Sequence, residues 1–395
     1  MDITITPHKL QGALRAVPSK SQAHRLLICA AFADKETVLQ CPETNQDIEA
    51  TVRCLQALGA KITRTQQEYI VQPISVVPKN AVMNCGESGS TLRFLLPIAG
   101  ALGVDSTFVL EGRLPFRPLS PLWEEMERNG CTLSRSTETT IRCTGQLSSG
   151  CYSIDGSISS QFITGLLFAL ALIPGENSLT VTGKLESKPY IDMTQDAMLR
   201  FGVNTENFNV SATRTFSSPG NIAVEGDWSN GAFFLAANTI GNNICISGLD
   251  PLSAQGDRAV KDFLRMIAAS NAVIDAADTP DLVPILSIAA AAKHGATFTN
   301  IRRLRLKESD RVSSVCEMLS QLGIVTESTD NILRVYPGQF HGGTIDSAGD
   351  HRIAMSAAIA ATCADGPVTI LGAHCVSKSY PTFWDEYRRF GGQYE

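Results

Sequence analysis

The sequence predicts an α/β protein of two domains, each holding three copies of one α/β repeat. Three observations predict this architecture: the length of the chain, a series of apolar segments at a nearly fixed interval, and a series of amphipathic segments at the same interval. At 395 residues the chain is longer than one hydrophobic core usually serves, so two domains with a cleft between them are expected.

The apolar segments each open with small polar residues and continue as a helix that is hydrophobic on nearly every side. Helices of this kind lie buried in the core of a domain. Their starting points are 69, 70, 70, 51 and 70 residues apart. These six starting points are Ser21, Ser90, Ser160, Asn230, Asp281 and His351.

The amphipathic segments each end at a residue suited to terminate a helix, followed by an alternating strand. Their terminating residues are 71, 72, 69, 52 and 69 residues apart, so the one short interval falls at the same place in both series. Two series that share a period and its exception indicate six repeats. The predicted terminating residues are Gly59, Gly130, Gly202, Asn271, Gly323 and Gly392.

Composition excludes several classes of protein. A net charge of −6 disfavours a nucleic-acid partner, and the longest apolar run, residues 162–173, is too short to cross a bilayer. The eleven cysteines include no Cys-x-x-Cys pair, which predicts reduced core residues rather than a disulfide scaffold. The first ten residues resemble neither a signal nor a transit peptide, so we expect a cytoplasmic protein and, by default, a monomer.

The starts of the predicted buried helices carry many cations for a chain that is only 18% charged. Lys20, Arg25, Arg93 and Arg352 all lie within the first turns of these helices. A helix N-terminus presents free N–H groups and about half a positive charge, so several such ends together would attract a small, multiply charged anion. Other cations cluster elsewhere in the chain, at Arg113, Arg117, Arg302, Arg303, Arg305, Lys307, Arg311 and Lys378.

The familiar motifs of other enzyme classes do not occur in the sequence. It contains neither a phosphate-loop motif nor a dinucleotide-binding glycine motif, which disfavours a phosphate-loop ATPase and a Rossmann dehydrogenase. The six histidines show no metal-binding spacing, and no nucleophile elbow surrounds any serine. No metal site is predicted.

Nine short segments of the sequence occur in the order and spacing of one enzyme family. They are SKSQAHR, SGSTLR, RLPFRP, SISSQF, SKPYIDMT, PDLVP, LKESDR, GDHRIAM and SKSYPTFW. From about residue 4 to 390 the sequence resembles the EPSP synthases, or 3-phosphoshikimate 1-carboxyvinyltransferases, and KESDR, SKPYIDM and DHR-x-AM are together the specific part of the resemblance.

The resemblance implies a two-domain inside-out α/β barrel, with three βαβαββ repeats in each domain and the active site in the cleft between them. Residues 19–226 would form the first domain, and residues 1–18 with 227–395 the second. It also implies transfer of the enolpyruvyl group of phosphoenolpyruvate to the 5-hydroxyl of shikimate 3-phosphate, with release of phosphate. No cofactor or metal would take part, and the only partners would be these two small molecules.

The resemblance also implies roles for particular residues. Asp281 stands at the position of the proton acceptor and Glu308 at that of the proton donor, with Lys20 as a third catalytic residue. The implied contacts of phosphoenolpyruvate are Lys20, Gly89, Arg117, Gln161, Arg311, Arg352 and Lys378. The implied contacts of shikimate 3-phosphate are Lys20, Ser21, Arg25, Ser159, Ser160, Gln161, Ser187, Asp281 and Lys307.

Two alternatives remain open at this point. The first is the sister activity, enolpyruvyl transfer to UDP-N-acetylglucosamine, which uses a reactive cysteine where this sequence has Gly112 and an asparagine where it has Ser21. The second is a non-catalytic anion-binding relative, which retention of both carboxylates and of the cations disfavours.

Overall fold

The computed structural model describes residues 1–211 and 216–395, which form two compact units. The first unit comprises residues 18–224, and the second comprises residues 1–17 and 225–395. Each unit has its own hydrophobic core. Across the described residues, no helix combines the length and hydrophobicity needed to cross a membrane.

The described residues contain both kinds of helix that the sequence predicts. Odd-numbered helices are apolar and almost wholly buried, whereas even-numbered helices keep an exposed polar face. The helices are α1 (Lys20–Ala31), α2 (Gln46–Ala57), α3 (Gly89–Leu102), α4 (Leu122–Arg128), α5 (Ser160–Leu170), α6 (Lys188–Arg200), α7 (Trp228–Thr239), α8 (Val260–Ala269), α9 (Val283–Ala291), α10 (Arg311–Gln321), α11 (His351–Ala361) and α12 (Phe383–Arg389).

Short strands separate the helices. Short 3-10 helices lie at Leu114–Phe116, Gly256–Ala259, Pro280–Leu282, Arg302–Leu306 and Ala373–Lys378. The strands are β1 (Ile3–Thr6), β2 (Gln11–Arg15), β3 (Thr37–Gln40), β4 (Lys61–Arg64), β5 (Glu68–Gln72), β6 (Asn80–Gly86), β7 (Asp105–Leu110), β8 (Cys131–Thr137), β9 (Thr140–Gly145), β10 (Cys151–Asp155), β11 (Glu176–Thr182), β12 (Asn209–Ser211), β13 (Asn221–Ala223), β14 (Asn243–Ser247), β15 (Ala272–Asp275), β16 (Ala296–Thr299), β17 (Thr326–Ser328), β18 (Ile332–Val335), β19 (Gly343–Asp346), β20 (Val368–Leu371) and β21 (Gln393–Tyr394).

Each repeat forms a small sheet that covers one buried helix, and in the described residues all of these sheets except the parallel pair of β2 and β14 are mixed. The second repeat shows the full pattern, in which α3 connects the parallel strands β6 and β7, and the antiparallel pair β8 and β9 follows α4. Buried and exposed residues alternate along β6, as in a sheet with one face on a core and one in solvent. The apolar helices therefore lie inside each unit and the sheets outside, which is the reverse of a conventional α/β barrel.

The short interval in both periodic series has a simple structural cause. The fourth repeat ends after β14 and α8, and its sheet contains only β14 and β2. The fifth repeat, like the second, continues with two antiparallel strands, β17 and β18. The fourth repeat lacks this final strand pair, so it is about twenty residues shorter than the others.

Two strands pair, each within its own unit, with partners that lie far away in the chain. β2 precedes α1 in the chain but pairs in parallel with β14 of the second unit. β13 precedes α7 but pairs in parallel with β3 of the first unit. The N-terminal strand β1 also belongs to the second unit, where it lies between β20 and β21.

Two of the six predicted helix-terminating residues are wrong. Helix α8 ends at Ala269, the next residue Ser270 is extended, and Asn271 does not have a positive φ. After α12 the residue with positive φ is Gly391 (φ 91°), one position before the predicted Gly392. Gly59, Gly130, Gly202 and Gly323 do have positive φ, the conformation that favours glycine over residues with a Cβ atom.

Candidate active site

The three buried helices of the first unit begin at the same end of that unit. A chain of hydrogen bonds joins α1 to α3: Nδ1 of His24 lies 2.7 Å from Oγ1 of Thr51, which lies 2.7 Å from Oγ1 of Thr91. Helix α3 is joined to α5 because Nη1 of Arg93 donates to Oε1 of Gln161 at 2.7 Å. Serine side chains cap all three helices, at Ser19, Ser88 and Ser159.

Lys20 is the first residue of α1, directly after the Ser19 cap. Its ammonium group donates to Oδ2 of Asp47 at 3.0 Å, and 16% of its side chain is exposed. Asp47 lies in the first turn of α2, where the helix dipole favours a negative charge. Lys20 is therefore held at the surface by a buried carboxylate, with Ser21 partly exposed beside it.

Arg25 is a buried cation surrounded by neutral oxygens. Its guanidinium donates to Oγ1 of Thr194 at 2.8 Å and to the carbonyl oxygens of Ser21 and Tyr190 at 2.6 and 2.8 Å. Burial lowers the pKa of Arg25 to about 10, which leaves the group charged at neutral pH. Because its hydrogen-bond partners do not neutralise that charge, Arg25 makes this end of the unit attractive to an anion.

Gly89 leaves room for two guanidinium groups at the start of α3. A Cβ atom at this position would lie 2.6 Å from Nη1 of Arg117 and 3.1 Å from Nη1 of Arg93. Arg93 is buried and also donates to the carbonyl oxygen of Pro118 at 3.0 Å, which fixes the loop that carries Arg117. The sequence identifies Arg93 as a cation but predicts no role for it. Arg93 lies beside Gly89 and donates to Gln161, which explains why Gly89 and Gln161 lie close together.

The serines predicted to bind shikimate 3-phosphate lie at three helix starts, the first being that of α1, which contains Ser21. Ser159 caps α5, Ser160 is the first residue of that helix, and Gln161 follows with its Nε2 donating to Oγ of Ser90 at 2.9 Å. Ser187 precedes α6 and is buried, with φ 55° and ψ 40°. A non-glycine residue in this left-handed conformation costs about 1 kcal/mol or more, and such residues are concentrated at functional sites.

In the second unit, one arginine is the centre of the candidate site. Arg311, the first residue of α10, is 1% exposed, and three carboxylates accept from its three nitrogens at 2.7 Å. Nη1 donates to Asp281, Nη2 donates to Glu308, and Nε donates to Asp350. The predicted proton acceptor and proton donor therefore share one guanidinium group.

Asp281 is itself surrounded by three cations. Besides Arg311, its carboxylate lies 3.1 Å from Nζ of Lys307 and 3.0 Å from Nη2 of Arg352. Burial alone would raise the pKa of Asp281, but the charges of Arg352, Lys307 and Arg311 outweigh burial and hold that pKa well below its ordinary value. Asp281 is thus a partly exposed carboxylate that is ionised in this state.

Local sequence explains why Asp281 faces cations instead of capping a helix. Five of the six buried helices have a Ser or Asp side chain that accepts from the first turn, and α9 is the exception. Pro280 and Pro284 flank the start of α9 and have no N–H groups to satisfy. The side chain of Asp281 is therefore available for Lys307, Arg311 and Arg352.

Lys378 is the last second-unit residue predicted for the site, and it shares a neighbour, Cys375, with Asp350. It is buried at the end of the 3-10 helix Ala373–Lys378, which also contains Cys375. Burial raises the pKa of the Cys375 thiol to about 11, while Asp350 and Lys378 act on it in opposite directions. Asp350 and Lys378 therefore both lie near Cys375, while Asp281, Lys307, Glu308, Arg311 and Arg352 form one charged cluster.

The sequence model of the family described as EPSP synthase (3-phosphoshikimate 1-carboxyvinyltransferase) matches residues 5–387. This chain belongs to the EPSP synthase family. The 3-phosphoshikimate 1-carboxyvinyltransferases of Clostridium kluyveri and Clostridium acetobutylicum are each 37% identical to this chain, over 99% of it and 97% of the relative. The family predicted from the nine segments is confirmed.

Solved structures agree with this membership. An EPSP synthase from Acinetobacter baumannii has a TM-score of 0.80 and 25% identity, covering 100% of this chain and 99% of that one. The enolpyruvyl transferase NikO from Streptomyces tendae has a TM-score of 0.73 at 18% identity, a likeness that concerns the fold alone. The two-domain inside-out α/β fold expected of an EPSP synthase is confirmed.

Two carboxylates of this EPSP synthase family member escaped the sequence analysis. Asp350 directly precedes His351, the predicted starting point of the sixth apolar segment. Capping rules could have identified Asp350 as the cap of α11 but not as a partner of Arg311. Asp257 is 2% exposed and accepts a hydrogen bond from Ser229, while its Oδ1 atom has no hydrogen-bond partner within the described chain. No local signal in the sequence predicts burial of Asp257.

Asp257 is expected to make stability fall as pH rises toward neutrality. Burial and the nearby charges of Asp281 and Asp227 raise its pKa from 3.8 to about 7, against the opposing effects of Arg352 and Ser229. Between these values the folded protein binds a proton that the unfolded chain does not, so the free energy of unfolding decreases by up to about 1.4 kcal/mol per pH unit.

Asp257→Asn mimics the protonated carboxyl and should remove this slope between about pH 5 and 7. Urea unfolding at a series of pH values measures the slope of the free energy of unfolding against pH. The control is Asp262→Asn, since Asp262 is an exposed carboxyl on α8. Parallel plots of the free energy of unfolding against pH for wild type and Asp257→Asn would show that Asp257 does not take up a proton in this range.

Proposed function

We propose that this protein transfers the enolpyruvyl group of phosphoenolpyruvate to the 5-hydroxyl of shikimate 3-phosphate and that the residues described above carry out the reaction. The observation that carries the assignment is the second-unit cluster, in which two partly exposed carboxylates, Asp281 and Glu308, share Arg311. An acid and a base held on one cation suit a reaction that must both remove and deliver a proton.

Both substrates carry a phosphate and a carboxylate, so the site needs several cations. In the second unit, Arg311, Arg352 and Lys378 are proposed to bind phosphoenolpyruvate, since guanidinium groups match the oxygens of phosphate and carboxylate in pairs. In the first unit, Gly89, Arg117 and Gln161 are proposed to complete that site. Lys20 is proposed to contact both substrates.

Shikimate 3-phosphate is proposed to bind mainly at the helix starts of the first unit. Arg25 offers a positive charge amid neutral oxygens, and the first turns of α1 and α5 offer backbone N–H groups. The proposed contacts in addition to Lys20 are Ser21, Arg25, Ser159, Ser160, Gln161, Ser187, Asp281 and Lys307.

The chemistry requires addition followed by elimination. The 5-hydroxyl oxygen bonds to the central carbon of phosphoenolpyruvate as it loses its proton, and the terminal methylene carbon gains a proton. The bond between the central carbon and the phosphate oxygen then breaks, and phosphate leaves with the proton that Asp281 had taken up. The methyl group returns a proton to Glu308 as the double bond is restored. We assign the hydroxyl proton to Asp281 and the methylene proton to Glu308, each worth about 100- to 10,000-fold in rate.

Substrate binding is proposed to convert Asp281 into a better base. In the free protein, Lys307, Arg311 and Arg352 surround its carboxylate and lower its affinity for a proton. Anionic groups of the substrates would compete for the same cations. As those cations turn to the substrates, the pKa of Asp281 would rise, so that proton removal begins only when the site is filled.

The Gly89 contact gives a test of the proposed donor site. Gly89→Ala should push the Arg117 guanidinium out of place, because an added Cβ would lie 2.6 Å from its Nη1 atom. We expect KM for phosphoenolpyruvate to rise about tenfold with little change in KM for shikimate 3-phosphate, since a displaced guanidinium loses a charge-assisted contact.

Steady-state kinetics with each substrate varied in turn measure this effect. Gly366→Ala is the matched control, because its added Cβ would meet no atom closer than 3.5 Å. An unchanged KM for phosphoenolpyruvate in Gly89→Ala would remove Arg117 from the proposed donor site.

Release of inorganic phosphate tests the function itself. The purified protein is incubated with phosphoenolpyruvate together with either shikimate 3-phosphate or UDP-N-acetylglucosamine, and each substrate is also tested alone. Phosphate is expected only with phosphoenolpyruvate and shikimate 3-phosphate together. Release with the nucleotide sugar would support the sister activity, and absence of release with either acceptor would support a non-catalytic relative.

We further propose that the two units are the catalytic domains, that they close over the substrates, and that the enzyme acts as a cytoplasmic monomer. One chain supplies every residue assigned above, and all eleven cysteines are free, as is usual in a reducing compartment. Small-angle scattering should give the mass of one chain and a smaller radius of gyration when shikimate 3-phosphate is added. An unchanged radius would contradict closure.

A further inference from the structure

Asp350 differs from the other carboxylates that bind Arg311. Asp281 and Glu308 are each partly exposed, at 17% and 16%, whereas Asp350 is completely buried. A carboxylate without contact to solvent does not bind substrate directly, and its burial is costly unless it is paired and hydrogen-bonded. Asp350 meets that condition through Nε of Arg311 at 2.7 Å and Oγ of Ser309 at 3.1 Å.

The second oxygen of the same carboxylate contacts both arginines, because it accepts from Nη2 of Arg311 at 3.4 Å and also from Arg352. Oδ1 of Asp350 accepts from the backbone N–H of Arg352 at 3.0 Å and thereby caps α11. One rigid group therefore fixes the guanidinium of Arg311 and the backbone of Arg352. Capping alone does not need this carboxylate, because serine caps the buried helices of the first unit at Ser19, Ser88 and Ser159.

The proposed reaction makes this arrangement useful. Asp281 and Glu308 have to loosen their hold on Nη1 and Nη2 of Arg311 if they are to exchange protons with substrates. The bonds to buried Asp350, from Nε at 2.7 Å and from Nη2 at 3.4 Å, remain and keep the guanidinium oriented. The N–H groups that Asp281 and Glu308 release then become available to an anion. A terminal pair of N–H groups held in one plane is the geometry that binds two oxygens of a carboxylate or phosphate.

We propose that Asp350 is the positioning residue that holds Arg311 and Arg352 as a prearranged pair for the anionic groups of phosphoenolpyruvate. This inference rests on the proposed function. Asp350 acts through the two arginines and makes no contact with substrate itself. Its loss should therefore weaken binding of the donor selectively.

Asp350→Ser tests this role, because serine can still cap α11 but cannot reach Arg311 with a carboxylate. We expect KM for phosphoenolpyruvate to rise at least about tenfold, with kcat and KM for shikimate 3-phosphate within about threefold of wild type. Asp350→Asn, which preserves side-chain shape, should raise the same constant by a smaller factor, because its one amide oxygen can still accept from Arg311 or from the N–H of Arg352.

Asp310→Ser is the matched control. Asp310 is also a helix cap and lies next to Arg311 in sequence, but its carboxylate pairs with Arg305 at 3.0 Å. We expect this variant to keep the wild-type KM for phosphoenolpyruvate. Thermal unfolding of all three variants reports whether they are folded.

Three results would overturn the inference: an unchanged KM for phosphoenolpyruvate in Asp350→Ser, an equal rise for both substrates, or failure of both Asp350 variants to fold. The last result would assign Asp350 to stability alone. Wild-type activity in the same assay separates this question from the proposed function, because an inactive wild type would contradict the function and not the positioning role.

Discussion

Replacing Asp281 by asparagine is expected to lower kcat at least about 100-fold while shikimate 3-phosphate still binds. Asparagine has the shape of aspartate but does not accept a proton, so the acceptor hydroxyl would lose its base. The substitution also removes the carboxylate that lies within 3.1 Å of nitrogens on Lys307, Arg311 and Arg352. These cations would then be more available to substrate anions, so binding should be kept.

Presteady-state and steady-state kinetics, together with calorimetric titration of shikimate 3-phosphate, separate turnover from binding in this variant. Asp278→Asn serves as the control, since Asp278 is an exposed acid three residues earlier in the same loop. Unimpaired turnover in Asp281→Asn would exclude Asp281 as the base. A parallel loss of binding and turnover would make it a binding residue instead.

Replacing Arg311 by methionine is expected to cost about 3–5 kcal/mol of stability as well as activity. Methionine fills much of the same space but leaves Asp281, Glu308 and Asp350 without their shared cation. Removing one partner of a buried ion pair leaves charge uncompensated in a medium of low polarity, and the loss is of this size. Asp350, which has no exposure to solvent, should account for most of it.

The same substitution should change how stability depends on pH. Burial opposes ionisation of Asp350, but the charges of Arg311 and His351 hold its pKa below the ordinary value, so in wild type its contribution is lost as pH falls below about 4. Without Arg311 the pKa of this carboxyl should rise above its unfolded value. The variant should therefore gain stability as pH falls from 7 toward 4. Its loss of unfolding free energy relative to wild type should be largest at neutral pH.

Denaturant unfolding of Arg311→Met at pH 5 and pH 7 measures both effects. Arg334→Met is a suitable control, because Arg334 pairs with Glu327 on the surface and such pairs contribute about 1 kcal/mol or less. A deficit for Arg311→Met that is no larger than that of the control would contradict the proposed central role of Arg311.

The repeat architecture could be predicted because it depends on local patterns. Nearly continuous apolar residues define α3 and α11 as buried helices, and Ser88 and Asp350 cap them. These features repeat in the chain and need no knowledge of distant contacts. The shortened fourth repeat was visible as an interval, although its cause, a missing strand pair after α8, required the structure.

Errors and omissions arose where local patterns stop being informative. The end of α8 was misplaced at Asn271 because asparagine often adopts positive φ, yet here the chain leaves the helix in an extended conformation at Ser270. The pairing of β2 with β14 and of β13 with β3 was likewise invisible to periodicity, because each pairing joins residues more than 150 positions apart.

The sequence by itself determined the six repeats, the buried helices, the family and the identities of the charged residues at the candidate site. Only the tertiary structure decided which charges meet: Arg311 with Asp281, Glu308 and Asp350, and Asp257 buried with one unsatisfied oxygen. Helix period and capping act between residues a few positions apart, so sequence records them directly. Ion pairs and buried carboxylates depend on how distant repeats pack, and packing is a property of the whole fold.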